Sequence, residues 1–321
     1  MSRTVDSSDA KRALLENSLC VKPAVAVQAG GSKRPFFFLH GQWIPANALY
    51  CVRLSHLLGS DQPFYMLNPY TFEGSRIPPP LEMIAATHIK AMRAVQPEGP
   101  YLLGGWCNGG LIAYEMARQL HADGHKVDLL VLMDPSLPVY PFNLKCRSVV
   151  TRLGTLLRRD REKQLEWFIR LRQTNDYWQH TVMALRYHYY RVRILLGRGG
   201  PEELEKWRKG IESGVPFPKI NTLFRKANTL RQDYPSVLAW LTLDYELDST
   251  YPGKIAFFWT SLGSMEEVKI HREGWRNVEQ HEDIETYVLP GPHMTVLKDN
   301  LHTVAAQLRT CLNKAQATTV K

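Results

Sequence analysis

The chain has 321 residues, of which 44% are hydrophobic and 22% are charged, a composition that is ordinary for a globular protein and excludes a largely disordered chain. No apolar run approaches the roughly 20 residues that a membrane-spanning helix needs, so a membrane span is not expected. The net charge of +9 comes without any nucleic-acid-binding motif, so a solubilising surface charge or an acidic protein partner explains it better than nucleic acid does.

The beginning of the chain and its cysteines indicate the compartment. Residues 1–20 contain no long apolar stretch of the kind found in a secretory signal. The five cysteines are odd in number and include no CxxC pair, which argues against a zinc ribbon and against a disulfide framework. We therefore expect a cytoplasmic protein with reduced thiols, preceded by a flexible N-terminal leader over residues 1–32.

Short apolar runs and helical patterns alternate through the first part of the chain. The predicted elements are a strand at 35–41, a helix at 46–59, a strand at 63–69, a helix at 78–100, a strand at 101–106, a helix at 108–122 and a strand at 127–134. The strands are continuous apolar runs, as expected when both faces of a parallel sheet are covered by helices. The alternation predicts an α/β fold with a doubly wound, mostly parallel sheet.

A helical, basic and aromatic segment interrupts this pattern over residues 139–251. Its aromatic stripes are typical of helix packing, although an apolar surface that covers a substrate would have the same composition. Strand patterns return at 254–261 and 284–293, and a last helix is predicted at about 298–313. The resulting organisation is an α/β core over 33–138 and 252–314, a helical lid insertion over 139–251, and a polar tail over 315–321.

Cys107 lies at the junction between a predicted strand and the helix that follows it. Gly105, Gly109 and Gly110 surround it, and such a sharp, crowded turn requires small residues on both sides. The positive end of the helix dipole favours the thiolate form of a cysteine held there. A cysteine between glycines is often merely a small buried residue, but this position predicts a nucleophile that attacks a carbonyl.

An oxyanion hole is expected beside the thiol. The backbone N–H of Asn108 is the first donor, because it follows the nucleophile at the start of the helix. The second donor should come from the loop after an earlier strand. We select the backbone N–H of Gln42, in the sequence HGQW, as this donor.

The general base and its orienting acid are predicted from the ends of later strands. His293 follows the last strand on a glycine-proline loop, and Asp134 ends the strand at 127–134. A rival acid would follow the strand at 254–261, where only Ser261 and the more distant Glu266 and Glu267 occur. Cysteine, aspartate and histidine in this order match the order of the α/β-hydrolase triad.

Several motifs together resemble the thioesterase domains of nonribosomal peptide and polyketide synthases. These motifs are PFFFLHG, QPEGPYLLGGWCNGG, LIAYEMARQL, LVLMDPSLP and the late GPH. The resemblance covers 34–138 and 252–312, and the insertion corresponds to the mobile helical lid of the family. It implies an α/β-hydrolase fold with Cys107 as nucleophile, His293 as base and Asp134 as orienting acid. The implied substrate is an acyl or peptidyl group on the phosphopantetheine of an acidic carrier protein, with no bound cofactor and no metal.

The chain differs from the common family pattern because cysteine replaces the usual serine. Serine converts the thioester of the carrier into an oxygen ester, whereas cysteine forms another thioester and keeps the acyl group activated. We expect release of the product by hydrolysis or cyclisation, with an acyltransferase that passes the group to a second carrier thiol or an amine as the alternative. A non-catalytic carrier-docking module is a third possibility, which the complete Cys-Asp-His set disfavours.

Overall fold

The structure is a computed structural model of the whole chain. It describes residues 23–41, 48–72, 77–137, 140–212, 233–247, 251–262, 272–280, 283–293 and 295–317. Within these ranges the elements are β1 (Ala24–Gln28), β2 (Phe36–Leu39), α1 (Leu49–Leu58), β3 (Phe64–Leu67), α2 (Leu81–Arg93), β4 (Tyr101–Trp106), α3 (Asn108–Ala122), β5 (Val127–Met133), α4 (Pro141–Leu156), α5 (Arg161–Leu195), α6 (Pro201–Glu212), α7 (Tyr234–Thr242), β6 (Ile255–Leu262), β7 (Ile284–Pro292), α8 (Val296–Asp299) and α9 (Leu301–Ala317).

Seven strands form one sheet in the order β1-β3-β2-β4-β5-β6-β7. β1 pairs with β3 in the antiparallel direction, and every other neighbouring pair is parallel. Parallel strands end at the same edge of the sheet, so the residues that follow β2, β4, β5 and β7 meet at its carboxyl edge. The predicted α/β-hydrolase fold with a mostly parallel sheet is confirmed.

The central strands are buried on both faces, as their continuous apolar sequences predict. All four residues of β2 are at most 2% exposed, and β4 is buried along its whole length. Helices α1 and α9 contribute Leu54, Leu58, Val304 and Leu308 to a hydrophobic cluster with one face of the sheet. Helix α3 packs on β4 and β5. The strands that carry the candidate site are therefore fixed by packing on a rigid core.

The chain divides into two compact units. The first comprises residues 1–71, 79–139 and 244–321 and contains the sheet, and the second comprises residues 72–78 and 140–243. In the second unit α4 and α7 both pack on α5, a helix of 35 residues, and the Arg147 guanidinium lies 3.3 Å from the centre of the Trp240 ring. Among the helices of the described ranges, none combines the length and hydropathy that crossing a bilayer requires.

The predicted boundaries of the two terminal segments, the leader and the tail, differ from the structure. The leader predicted over residues 1–32 contains β1, so the prediction of a flexible segment is wrong for residues 24–28. This strand, AVAVQ, lies at a sheet edge with half-buried or exposed residues, and Val25 and Val27 pack against the hydrophobic cluster. The prediction of a polar tail from residue 315 is wrong for residues 315–317, because α9 continues to Ala317 and Ala315 is buried.

Candidate active site

Cys107 occupies a sharp turn between β4 and α3. Its backbone has φ 56° and ψ −127°, a conformation that non-glycine residues rarely adopt and that stores strain at functional sites. Backbone hydrogen bonds hold the turn in place. The Cys107 N–H donates to the Met133 carbonyl at 2.9 Å, and the Cys107 carbonyl accepts from the N–H groups of Gly110 and Ser136. The Cys107 side chain is half-buried. The predicted strand–cysteine–helix turn is therefore present with the bounds expected from the sequence.

The segment that follows β2 lies directly against this turn. A Cβ at Gly41 would lie 1.8 Å from the Trp106 carbonyl oxygen, and Gly41 has φ +64°. A Cβ at Gly109 would lie 2.5 Å from the Leu39 carbonyl oxygen. Glycine at these two positions lets the backbone after β2 approach the thiol closely.

Gly105 is equally constrained, and its substitution by alanine is expected to disrupt the turn. The added Cβ would lie 2.3 Å from the Gly109 carbonyl oxygen, so backbone rather than a flexible side chain would have to move. We expect the free energy of unfolding of Gly105→Ala to fall by about 2–3 kcal/mol or more in a urea titration. Gly30→Ala is the matched control, because nothing lies within 4 Å of its new Cβ. Equal stability of the two variants would contradict this packing.

His293 follows β7 and contacts both of its expected partners. Its Nδ1 lies 2.5 Å from Asp134 Oδ2, and the Cys107 side chain is near enough to the ring to affect its pKa. Burial lowers the pKa of His293, but the hydrogen bonds with Asp134 and Cys107 outweigh burial and raise the pKa to about 10. The Trp106 ring stacks on the imidazole with ring centres 4.8 Å apart. The imidazole is therefore oriented on three sides and favours the protonated form.

Asp134 follows β5 and is held from the neighbouring strand as well. The Thr260 hydroxyl donates to Asp134 Oδ2 at 2.7 Å, and the Thr260 N–H is 3.5 Å from Oδ1. Burial raises the Asp134 pKa, but its bonds to His293 and Thr260 outweigh burial and hold the pKa below its usual value. The carboxylate is thus the charged partner of the imidazole. Near the end of β6, the strand beside the rival position, the described residues are Thr260 and Ser261, neither of which is an acid.

Of the two predicted oxyanion donors, the structure describes Asn108 but not Gln42. Asn108 is the first residue of α3, where a backbone N–H has no partner within the helix and is free to bind an anion. Gln42 lies outside the described residues, as do Glu266 and Glu267. The backbone that leads to Gln42, at His40 and Gly41, lies beside the Cys107 turn.

The sequence prediction missed Thr260 and Trp106. The Thr260 contact depends on sheet order, which places the end of β6 beside the end of β5. The Trp106 contact depends on the segment after β7, in which His293 reaches past two strands to the end of β4. Threonine near the end of a strand carries no signal by itself, so only the neighbouring carboxylate identifies its role. In the described part of the chain, no group of three His, Cys, Asp or Glu side chains is arranged to hold a metal ion.

Comparison with known proteins shows which proteins the chain resembles. Residues 48–184 match the family model described as thioesterase domain. The chain is 39% identical over 111 residues to a dimodular nonribosomal peptide synthase of Bacillus subtilis, covering 34% of this chain and 4% of that protein. It is 37% identical over 117 residues to a non-reducing polyketide synthase of Pseudevernia furfuracea, covering 36% and 5%. It is 25% identical over 299 residues to the chondramide synthase of Chondromyces crocatus, covering 89% and 7%.

Solved structures support the same fold. The NocB thioesterase domain, in covalent complex with a fluorophosphonate nocardicin G analogue, has a TM-score of 0.52 at 20% identity, covering 90% of this chain and 99% of that one. A four-domain nonribosomal peptide synthetase bound to AMP and glycine has a TM-score of 0.53 at 20% identity, covering 90% and 20%. The chain spans between 4% and 7% of the length of the three curated relatives named above. The resemblance to thioesterase domains of these synthases is confirmed.

Proposed function

We propose that this chain, which carries a thioesterase domain of the nonribosomal peptide and polyketide synthase type, releases acyl or peptidyl groups from a carrier protein through a covalent acyl–Cys107 intermediate. One observation carries the proposal: the His293 ring lies 2.5 Å from the Asp134 carboxylate and near enough to the Cys107 side chain, at the strained turn, for that side chain to raise its pKa. An imidazole between a carboxylate and a strained nucleophile is the arrangement that acyl transfer requires.

The first half-reaction forms the intermediate. The thiolate of Cys107 attacks the carbonyl carbon of the carrier thioester, and the carbonyl oxygen takes the negative charge. The backbone N–H groups of Asn108 and Gln42 are the proposed donors to this oxygen. Collapse of the tetrahedral adduct breaks the bond to the phosphopantetheine sulfur, which leaves with the proton of the His293 imidazolium. The acyl group is then bound to the sulfur of Cys107.

The second half-reaction releases the product. Neutral His293 now accepts a proton from water, or from a hydroxyl or amine of the acyl chain itself, as that group attacks the acyl–Cys107 carbonyl. The Cys107 sulfur leaves as thiolate beside the newly formed imidazolium, which restores the starting ion pair. Water gives a free acid, whereas an internal nucleophile gives a ring. Asp134 stays ionised throughout and stabilises the imidazolium.

The distribution of charge supports a carrier protein as the partner. Residues 140–243 contain 20 Lys and Arg against 9 Asp and Glu, a net charge of +11, whereas the remainder has 20 against 22, a net charge of −2. The positive charge of the chain is therefore concentrated in the helical insertion. A carrier protein and its phosphopantetheine arm are negatively charged, so their encounter with this insertion is electrostatically favoured.

Transfer to a second carrier thiol is the alternative, and cysteine at position 107 favours it. An acyl–Cys thioester and a carrier thioester have similar free energies, so passing the group onward is reversible. Cys107→Ser should accumulate an oxygen ester, retain hydrolysis, and lose at least about tenfold in transfer to an empty second carrier, because the return to a thioester is uphill. Product analysis with wild type and variant in parallel measures this ratio. An unchanged ratio would remove the reason for proposing transfer.

Intact-mass measurement after mixing with an acyl-loaded carrier tests the proposal as a whole. We expect the carrier to lose its acyl group while the chain gains the same mass transiently. Addition of a second, empty carrier then separates release from transfer. A chain that binds the loaded carrier without gaining mass or removing the acyl group would instead be a carrier-docking module.

A further inference from the structure

Tyr50, in the first turn of α1, contacts the backbone beside the candidate site. Its hydroxyl donates a hydrogen bond of 2.8 Å to the carbonyl oxygen of His40. His40 directly follows β2 and precedes Gly41, so this carbonyl belongs to the peptide unit that links the two residues. A side chain of α1 therefore holds the backbone directly after the end of β2.

The peptide unit that Tyr50 holds has little freedom on its other side. Gly41 lies so close to the Cys107 turn that a Cβ added to it would meet the Trp106 carbonyl oxygen at 1.8 Å and Asn108 Oδ1 at 3.1 Å. Gly109 approaches the same segment, since its Cβ would lie 2.9 Å from the Gly41 nitrogen. The segment is thus fixed between the turn that carries the nucleophile and the Tyr50 hydroxyl.

The Tyr50 hydroxyl remains a donor under all ordinary conditions. Burial, followed by the neighbouring Cys51 and Cys107 side chains, raises the Tyr50 pKa well above its usual range. Since the hydroxyl is already bonded to the His40 carbonyl, its effect on a reaction at Cys107 acts through the backbone.

We infer that Tyr50 is a positioning residue that holds the His40–Gly41 peptide unit against the turn at Cys107, and through that contact keeps the backbone N–H of Asn108 in place for the oxyanion formed at Cys107. The inference rests on the proposed function. Oxyanion donors act only at hydrogen-bond distance from the charge that develops in the transition state, so a shift of the Cys107 turn by a fraction of an ångström weakens them. Because the Tyr50 hydroxyl already donates to the His40 carbonyl, we expect its contribution in the rate of the chemical step.

Tyr50→Phe removes the hydroxyl and keeps the ring, which packs edge-on against Phe38. We expect the rate of acylation of Cys107 by a small model thioester to fall about 10- to 100-fold in single-turnover measurements, with KM changed less than about twofold. Alkylation of Cys107 by iodoacetamide forms no oxyanion, so its rate should equal that of the wild type. Unchanged alkylation also shows that the variant is folded around its thiol.

Tyr101→Phe is the matched control. It removes a hydroxyl that donates to the Pro97 carbonyl at 3.0 Å at the opposite end of β4, and both of its rates should equal those of the wild type. The inference is overturned if Tyr50→Phe acylates as fast as Tyr101→Phe, or if its alkylation falls in parallel with its acylation. Failure of the proposed function is distinguishable, because the wild type would then form no acyl adduct at all.

Discussion

Cys107→Ala is expected to abolish the covalent acyl adduct and to lower turnover of a carrier-bound thioester by about 10⁴-fold or more. The variant keeps the glycine-lined turn and the His293–Asp134 pair but has no atom that can attack the carbonyl. Residual rates in enzymes without their nucleophile come from binding and the oxyanion hole alone. Intact-mass measurement reports the adduct, and release of the free carrier thiol reports turnover.

Cys146→Ala provides the control for this substitution. Cys146 is a buried thiol in α4, within the helical unit, and has no part in the proposed reaction. We expect this variant to form the adduct at the rate of the wild type. A Cys107→Ala protein that still gains the acyl mass would place the nucleophile elsewhere, and one that turns over a thioester at the rate of the wild type would refute the covalent route.

The parts of the site that could be predicted from the sequence are those with a local signal. β4 and α3 have the predicted bounds, because an apolar run, a glycine-flanked cysteine and a helical pattern adjoin one another there. Asp134 and His293 were predicted from strand ends, and parallel pairing brings those ends together. The contacts of Thr260 and Trp106 required the order of strands in the sheet, which no local pattern specifies. Gln42 stays a prediction.

The Asp134–His293 pair determines how the proposed reaction depends on pH. The reactive form of a Cys-His pair is the thiolate beside the imidazolium. Because hydrogen bonds with Asp134 and Cys107 raise the His293 pKa to about 10 against the effect of burial, the imidazolium persists well above neutral pH. It loses its proton as the pH rises through that value, and it can then no longer protonate the departing phosphopantetheine sulfur. The rate should therefore fall on the alkaline side near pH 10.

Asp134→Asn should move this alkaline limit to lower pH. The substitution removes the negative charge next to His293 Nδ1 but leaves a carbonyl oxygen for the Thr260 hydroxyl, so packing is conserved. Loss of an adjacent carboxylate lowers the pKa of an imidazolium by about 1–3 units. The rate at the optimum should fall as well, up to the roughly 10⁴-fold loss known when an amide replaces the orienting carboxylate of a serine triad.

Profiles of kcat/KM between pH 6 and 11 for wild type and Asp134→Asn measure both effects. Asp61→Asn is a suitable control, since that exposed carboxylate bonds Ser32 and should leave the profile unchanged. An alkaline limit that stays in place in Asp134→Asn would mean that the carboxylate does not stabilise the imidazolium. The 2.5 Å contact would then only orient the ring, and Cys107 alone would account for the raised His293 pKa.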